Sequence, residues 1–382
     1  MEKYEEGPEE TLATPGVLDK YQQAGKIVNA ALEKVIAKTV AGAKIVEVCE
    51  FGDKYLEDEV KKVYNKKKME KGIAFPTCIS VNNVCGHFSP LRSEESEDAI
   101  LKEGDVAKID LGCHIDGFIA QAAHTVVVGK DKSTGAEGRK AEVILAAYNA
   151  LQASLRHLRP GSKNYDVTET VEKISETFGC NPVEGVLSHE VKKHLIDGNN
   201  SIINKQTYDQ KVEEFEFGVN QVFGLDIIIS TGEGKPKETE FRTTVFKRAL
   251  ERSYSLKLKA ARTFFAEVTE RFPTLAFSLR SFDDENVAKM GIKESMNHDL
   301  FYPYPVLADK KGEVVAHFKY TVAILKNSTQ VLAGLPLDAS IHKTDKKITD
   351  QAILDLLATS MEKKDLKKKE KKAKKEGDEK KE

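Results

Sequence analysis

Two stretches of this chain follow the same plan, and that repeat constrains the fold more than any other feature. Gln22 to Thr39 places Ile27, Ala31 and Val35 at helical spacing, then comes AGAK (Ala41 to Lys44) and a second amphipathic run from Ile45 to Val60. Glu142 to Leu158 repeats the pattern, followed by PGSK (Pro160 to Lys163) and a further helical run from Val167 to Phe178. Each helix pair leads to a histidine and then to a β-rich segment holding an aspartate. These are His87 and Asp110 (EGDVAKIDLG) in the first half, and His189 and Asp226 (VNQVFGLDIII) in the second. The aspartates lie 116 positions apart (226 minus 110), too long a period for a solenoid repeat. The expected fold class is α/β, with two halves related by a pseudo-twofold axis.

The rest of the chain divides around these halves. Residues 1–16 are acidic and polar, and read as a flexible N-terminus. One domain is expected over 17–340, with halves at about 17–135 and 136–340. Within the second half, about 247–298 has helical periodicity through Leu256, Leu258, Ala261, Phe264, Phe265 and Val268, and reads as an insertion. Strand patterning returns at Glu313 to Leu325. A C-terminal helix is expected within 341–360, and a lysine-rich tail over 361–382.

Strand DVAKIDLG precedes HIDG and FIAQAAHTVVV, and Asp116-Gly117 is a strong signal for a two-residue hairpin turn. Centring the turn there sets Asp110 opposite position 123 and Gly112 opposite Gln121. Asp110 and Gln121 then share one face as diagonal neighbours, roughly 7 to 8 Å apart, a geometry suited to two side chains converging on a metal.

Here the segments become specific. KIDLGCHIDG, Val81 to Pro90 (VNNVCGHFSP), Leu187 to His189, Val222 to Gly234 (VFGLDIIISTGEG) and Ala316 to Thr321 (AHFKYT) resemble the site-building segments of type-2 methionine aminopeptidases. The resemblance runs from about Val17 to Lys326. It implies the pita-bread fold, in which two halves clasp a dinuclear metal site held by two aspartates, a histidine and two glutamates. Carried over residue by residue, it keeps Asp110 and His189, puts Gln121 in place of the second aspartate, the shorter Asp226 in place of the first glutamate, and Lys319 in place of the second. His87 matches a pocket histidine that is not a ligand, and Asp197 marks where a second pocket histidine is absent.

Charge then argues against the metals. Four carboxylates contribute about −4 against two divalent ions, whereas Asp110, Gln121, Asp226 and Lys319 sum to about −1. Asp226 also falls short by roughly 1.5 Å, against a metal-distance tolerance of about 0.2 Å. The expectation is an aminopeptidase-like pseudoenzyme with no cofactor, in which the Lys319 ammonium stands in for the missing metal charge beside Asp110 or Asp226. Outside this context Lys319 would read as a solvated strand residue, Gln121 as an ordinary strand polar, and His87 and His189 as satisfied core histidines.

The near-neutral formal charge of −2 conceals segregation. Met361 to Glu382 holds 11 Lys against 7 acidic residues, about +4, leaving about −6 on the remainder. Lys61 to Lys71 holds six Lys and one Glu, and Lys235 to Arg262 nine Lys or Arg and three acids, interleaved with Phe241, Phe246 and Tyr254. Such clusters suit RNA phosphates. The contact candidates are Lys61, Lys62, Lys66, Lys67 and Lys68, with Lys247, Arg248, Arg252, Lys257, Lys259 and Arg262. Five cysteines without a CxxC pair fit a reducing compartment. No stretch offers the about 18 apolar residues a membrane span needs, so no membrane partner is expected.

Degenerate ligands, basic insertion and lysine tail together resemble the proliferation-associated, or ErbB-receptor-binding, protein family. That resemblance implies partners in the large ribosomal subunit and its RNA, structured RNA more widely, and a cytoplasmic location with nuclear and nucleolar shuttling. The expected function is a non-enzymatic ribosome- and RNA-binding factor in ribosome biogenesis, translation or growth control. Two alternatives stand beside it: a residual aminopeptidase using one ion on Asp110, His189 and Asp226, and a transcriptional or signalling adaptor whose former substrate pocket binds a peptide.

Overall fold

The repeat folds as two helix pairs laid on one antiparallel sheet, seen in a computed structural model that describes residues 10–66, 68–94, 99–129 and 134–362. In the first half, α1 (Val17–Lys38) and α2 (Ile45–Val60) cover β1 (Lys71–Val81), β3 (Val106–Ile115) and β4 (Phe118–Val127), with the short β2 (Val84–Gly86) between. In the second, α3 (Gly138–His157) and α4 (Asn164–Thr177) precede β5 (Asn181–Pro182), β6 (Leu187–Glu190), β7 (Ser201–Ile203) and β8 (Gln221–Ser230). After the insertion come β14 (Val315–Ile324), β15 (Thr329–Ala333) and α7 (Gln351–Ala358). The main sheet runs β1-β3-β4-β14-β8-β6-β7, with β15 on β14 and β5 on β8.

Buried aliphatic faces explain why the helices dock. Val28, Leu32 and Val35 of α1 pack with Leu56 of α2 on Ile109 and Leu111 of β3. The second half mirrors this with Leu151 of α3 and Val171 of α4 on Leu225 and Ile227 of β8. All ten residues of β14 are buried, since side chains from both halves cover its two faces.

The stretch expected to be helical is more elaborate. β10 (Val245–Arg248), β11 (Phe277–Ser278) and β12 (Phe301–Tyr304) form a separate sheet in the order β11-β10-β12, carrying α5 (Lys259–Arg271) and α6 (Glu285–Met296). Phe246, Phe264, Phe272, Phe277, Phe282 and Phe301 give this unit its own aromatic core. Strands of two to four residues are too short to show period-two patterning, so only the helices were legible. A third small sheet joins β2, β9 (Lys237–Glu238) and β13 (Leu307–Ala308). The expected lysine tail lies outside the described residues, apart from Met361 and Glu362.

Candidate functional site

The site forms where the two halves meet, at the β4–β14 seam. The β3–β4 hairpin turns at Asp116-Gly117, whose φ values of 55° and 78° suit the favoured two-residue turn. Its register sets Asp110 opposite Ala123 and Gly112 opposite Gln121, as the sequence implies. Lys319 of β14 faces Ala123 on one side and Asp226 of β8 on the other. Asp110, Ala123, Lys319 and Asp226 therefore make one row across four strands, on a single face of the sheet. Because the methyl group at Ala123 is short, the long Lys319 side chain reaches across it to Asp110. A second row holds Gln121, Gly224 and His189. At Gly112 a Cβ would sit 2.7 Å from Gln121 Cγ, so only glycine admits the glutamine there.

Backbone pairing across the seam is sparse, and threonines replace it. Thr125 Oγ1 accepts from the His317 amide (2.8 Å) and donates to its carbonyl (2.7 Å), and Thr321 Oγ1 does the same for Gln121 (2.8 Å each). Hydroxyls suit this role because one group both donates and accepts.

Lys319 is the electrostatic centre. Its Nζ lies 2.8 Å from Asp110 Oδ2 and 2.8 Å from Asp226 Oδ2, so the ammonium serves both carboxylates rather than one. The Phe75 ring lies 5.5 Å away and closes one side. Burial alone would lower the Lys319 pKa, but the two carboxylates outweigh it and hold the group above its ordinary value. Burial likewise opposes ionisation of Asp226, yet Lys319 and His317 keep it well below the usual carboxylate range. His317 Nε2 donates to Asp226 Oδ1 at 2.7 Å. Asp110 Oδ1 has no hydrogen-bond partner among the described residues.

The sequence reading passed over His317, although strand alternation could have found it. His317, Lys319 and Thr321 share one face of β14, and His317 is the ionisable neighbour two residues before Lys319. It also passed over Lys108, fully buried two residues before Asp110. That ammonium donates to the Asn82 carbonyl at 2.7 Å, and burial pushes its pKa down to about 7.

Around this row lies a pocket of about 330 Å³, lined by His87, Gln121, His189, Asp197, Asp226, His317 and Lys319, with Phe75 and Tyr304. His87 adopts φ 66° and packs between Phe75 and Tyr304, with ring centroids 5.9 and 5.4 Å away. Its Nδ1 donates to the Pro305 carbonyl (3.1 Å), as His189 Nδ1 does to Gly198 (3.1 Å), so each ring turns Nε2 away from its backbone anchor. Burial lowers the His87 pKa, leaving it neutral near pH 7. Asp197, at the pocket edge, pairs with Lys247.

The donor set does not fit two divalent ions. The Lys319 ammonium already sits at hydrogen-bonding distance from both Asp110 and Asp226, and a cation at about 2.0 to 2.2 Å from those oxygens would compete for the same space and charge. Among the described residues, no group of three or more His, Cys, Asp or Glu side chains could hold a metal ion.

Residues 19–227 match the model of metallopeptidase family M24. The chain belongs to that family. Within it, Proliferation-associated protein A of Dictyostelium discoideum is 45% identical over 353 residues, covering 92% of this chain and 91% of the relative. ErbB-3 binding protein 1 of Solanum tuberosum is 46% identical over 321 residues, covering 83% and 81%. The solved structure of a thermophilic Arx1 superposes with a TM-score of 0.87 at 34% identity, covering 92% of this chain and all of that one. The chain thus belongs with the proliferation-associated and ErbB-3 binding proteins within family M24, and its two halves form the pita-bread fold.

The basic clusters separate into two kinds. Lys61, Lys62, Lys66 and Lys68 are exposed just after α2, and Lys67 lies outside the described residues. Lys62 pairs with Glu59 at 2.5 Å, while Lys61 is only 3.9 Å from Glu57 and Asp58. Arg252, Lys257, Lys259 and Arg262 are exposed at the start of the insertion. Lys247 departs from the sequence reading: its side chain is only 12% exposed, paired with Asp197 and 5.6 Å over the Tyr302 ring. Arg248 lies 5.1 Å over Phe265 and donates to the Pro273 carbonyl. The two leave β10 on opposite faces, Lys247 towards Asp197 at the pocket and Arg248 towards Phe265 of α5, and both are half-buried. Lys68 and Arg271, at the end of α5, line one cleft of about 600 Å³.

Proposed function

We propose that this chain is a non-catalytic member of its family that binds RNA and the large ribosomal subunit, acting in ribosome biogenesis, translation or growth control. The observation that carries the loss of catalysis is the Lys319 ammonium between Asp110 and Asp226. Generating a metal-bound hydroxide near neutral pH needs a divalent ion in an anionic cage, and here a fixed side-chain cation takes that charge. Support for RNA binding comes from the exposed lysines after α2 and the basic residues around the start of α5. Their side chains are long, accessible and spread over two elements, which suits phosphates on an irregular surface and not the reading of bases. Movement between cytoplasm, nucleus and nucleolus belongs to the same reading. No described helix is long and apolar enough to cross a membrane.

Purified protein should release no Met from a Met-Ala peptide with Mn, Co, Fe or Zn, and should carry no stoichiometric metal. It should co-sediment with large ribosomal subunits in a salt-sensitive manner. Metal-dependent release by clean protein would overturn the first part, and failure to co-sediment at low salt the second. Restoring Gln121→Asp, Asp226→Glu and Lys319→Glu together should raise metal affinity before any activity, measured by calorimetry.

A second reading is favoured by the pocket itself, which stays open although the metal ligands are degraded. Phe75 and Tyr304 give it apolar walls, and its polar groups converge from both halves. It is suited to holding a peptide segment of a signalling or transcriptional partner.

A further inference from the structure

The face of the sheet opposite the Lys319 row carries a second cavity, of about 460 Å³, bounded by α1, β4 and the segment from Leu335 to His342. Alternation along β4 separates the two sites. Gln121 points to the Lys319 side, and His124, three residues on, points to the helix side. The size falls within the usual range for small-molecule pockets, about 300 to 1,000 Å³.

Its lining combines aliphatic walls with two buried histidines. Ile36, Leu337 and Ile341 contribute apolar surface. His124 is 5% exposed, packs edge-on to Phe318 at 5.2 Å, and has no hydrogen-bond partner for Nδ1 among the described residues. His342 is 7% exposed, and its Nδ1 accepts from the Ala136 amide at 3.2 Å, so in the neutral ring Nε2 carries the proton. Burial, reinforced by His342, pushes the His124 pKa down to about 4, so it is neutral at pH 7. A buried ring nitrogen without a partner is costly, and natural interiors keep few of them. Here it borders a space large enough for a ligand. The charged residues lining the cavity, among those described, are Glu33 and Asp338, whose carboxylates disfavour an anion.

We propose that this cavity binds a small uncharged molecule, apolar over most of its surface, whose amide-like group pairs with His124 and His342. One neutral imidazole offers both an N–H and a lone pair, which an amide matches and an aromatic hydrocarbon does not. The site is independent of the Lys319 row and of RNA binding.

Indole-3-carboxamide tests it, with indole and indole-3-carboxylate as controls, on the full chain with ¹⁵N-labelled histidine. The carboxamide should shift the His124 and His342 ring resonances saturably and bind about tenfold more tightly than either control. His124→Phe should abolish the preference for the carboxamide over indole while leaving indole binding. Leu337→Trp, which fills the cavity from a partly exposed position, should abolish binding of both. The proposal is overturned if the carboxamide leaves both rings unshifted, if the carboxylate binds as tightly, or if Leu337→Trp binds like wild type. Ring resonances reporting only bound water, unchanged at the solubility limit of the carboxamide, would overturn it equally.

Discussion

Lysines do opposite things at the seam and on the surface of this protein. Lys319 is one side chain held between two largely buried carboxylates, and its charge is fixed by geometry. Lys66 and Lys68 are exposed, and their charge costs the fold little and contributes little to it. Buried charges are strongly coupled to their partners, so each matters singly. Exposed ones are screened, so they matter only together and only to a partner. The same residue type is thus structural in one region and available for recognition in the other.

The largest expected effect breaks the interior side of this contrast. Lys319→Met removes the cation and leaves Asp110 and Asp226 facing each other, both largely buried. The expected loss is roughly 3 to 5 kcal/mol, read from urea unfolding at pH 7. A loss below about 1 kcal/mol would mean that the row tolerates two unpaired carboxylates and that Lys319 is no more than a surface-type pair.

Acid titration probes the same row from the other side. Asp226 is held below its ordinary pKa, so the unfolded chain takes up protons before the folded one does. Its stabilising contribution is present above the unfolded value of about 3.9 and is lost as pH falls through the lower folded value. Wild-type stability should therefore decline below about pH 4, and Asp226→Asn should flatten that decline while being less stable at pH 7. Parallel pH profiles for the two proteins would remove Asp226 from the cluster. Lys319 acts in the opposite sense: its contribution is full at neutral pH and is lost only in strong alkali, above its ordinary value.

What the sequence disclosed follows from period and spacing. Both helix pairs, the hairpin at Asp116-Gly117 and its register were legible because amphipathic runs and a tight turn are local signals. The row through Lys319 was legible only through the matched segments, since pairing β14 with β4 and β8 joins residues about 100 to 200 positions apart. The small strands of the insertion gave no signal. Lys247 and Arg248 were grouped with the basic surface because a sequence lists charge without direction. In the fold, β10 turns them towards Asp197 and Phe265. His317 and Lys108 were readable by alternation, but burial of a lysine with only carbonyl partners runs against the usual expectation.

On the recognition side, the exposed lysines should fail as a group. Lys66→Glu with Lys67→Glu and Lys68→Glu reverses three charges and should weaken co-sedimentation with large subunits by about tenfold at moderate salt, flattening its salt dependence. Its melting temperature should match wild type. Unchanged co-sedimentation would move the docking surface away from the loop after α2. Truncation after Ser360 should have a smaller effect, because a lysine-rich segment poor in apolar residues adds attraction without fixed geometry.

The smallest effect sharpens the boundary between the two classes. Lys247 and Arg252 lie five residues apart, yet one pairs with Asp197 at the pocket edge and the other is exposed on the insertion. Lys247→Ala leaves Asp197 without its cation beside a partly covered pocket, so a stability loss of about 1 kcal/mol is expected. Arg252→Ala should stay within about 0.5 kcal/mol of wild type while weakening RNA binding. Denaturant midpoints and salt-dependent RNA binding on the same two variants check the assignment. If Lys247→Ala affects only RNA binding and Arg252→Ala only stability, the division between interior and recognition charges is drawn in the wrong place. If each acts in its own assay alone, it runs between Lys247, on the pocket side of β10, and Arg252, exposed beyond the end of that strand.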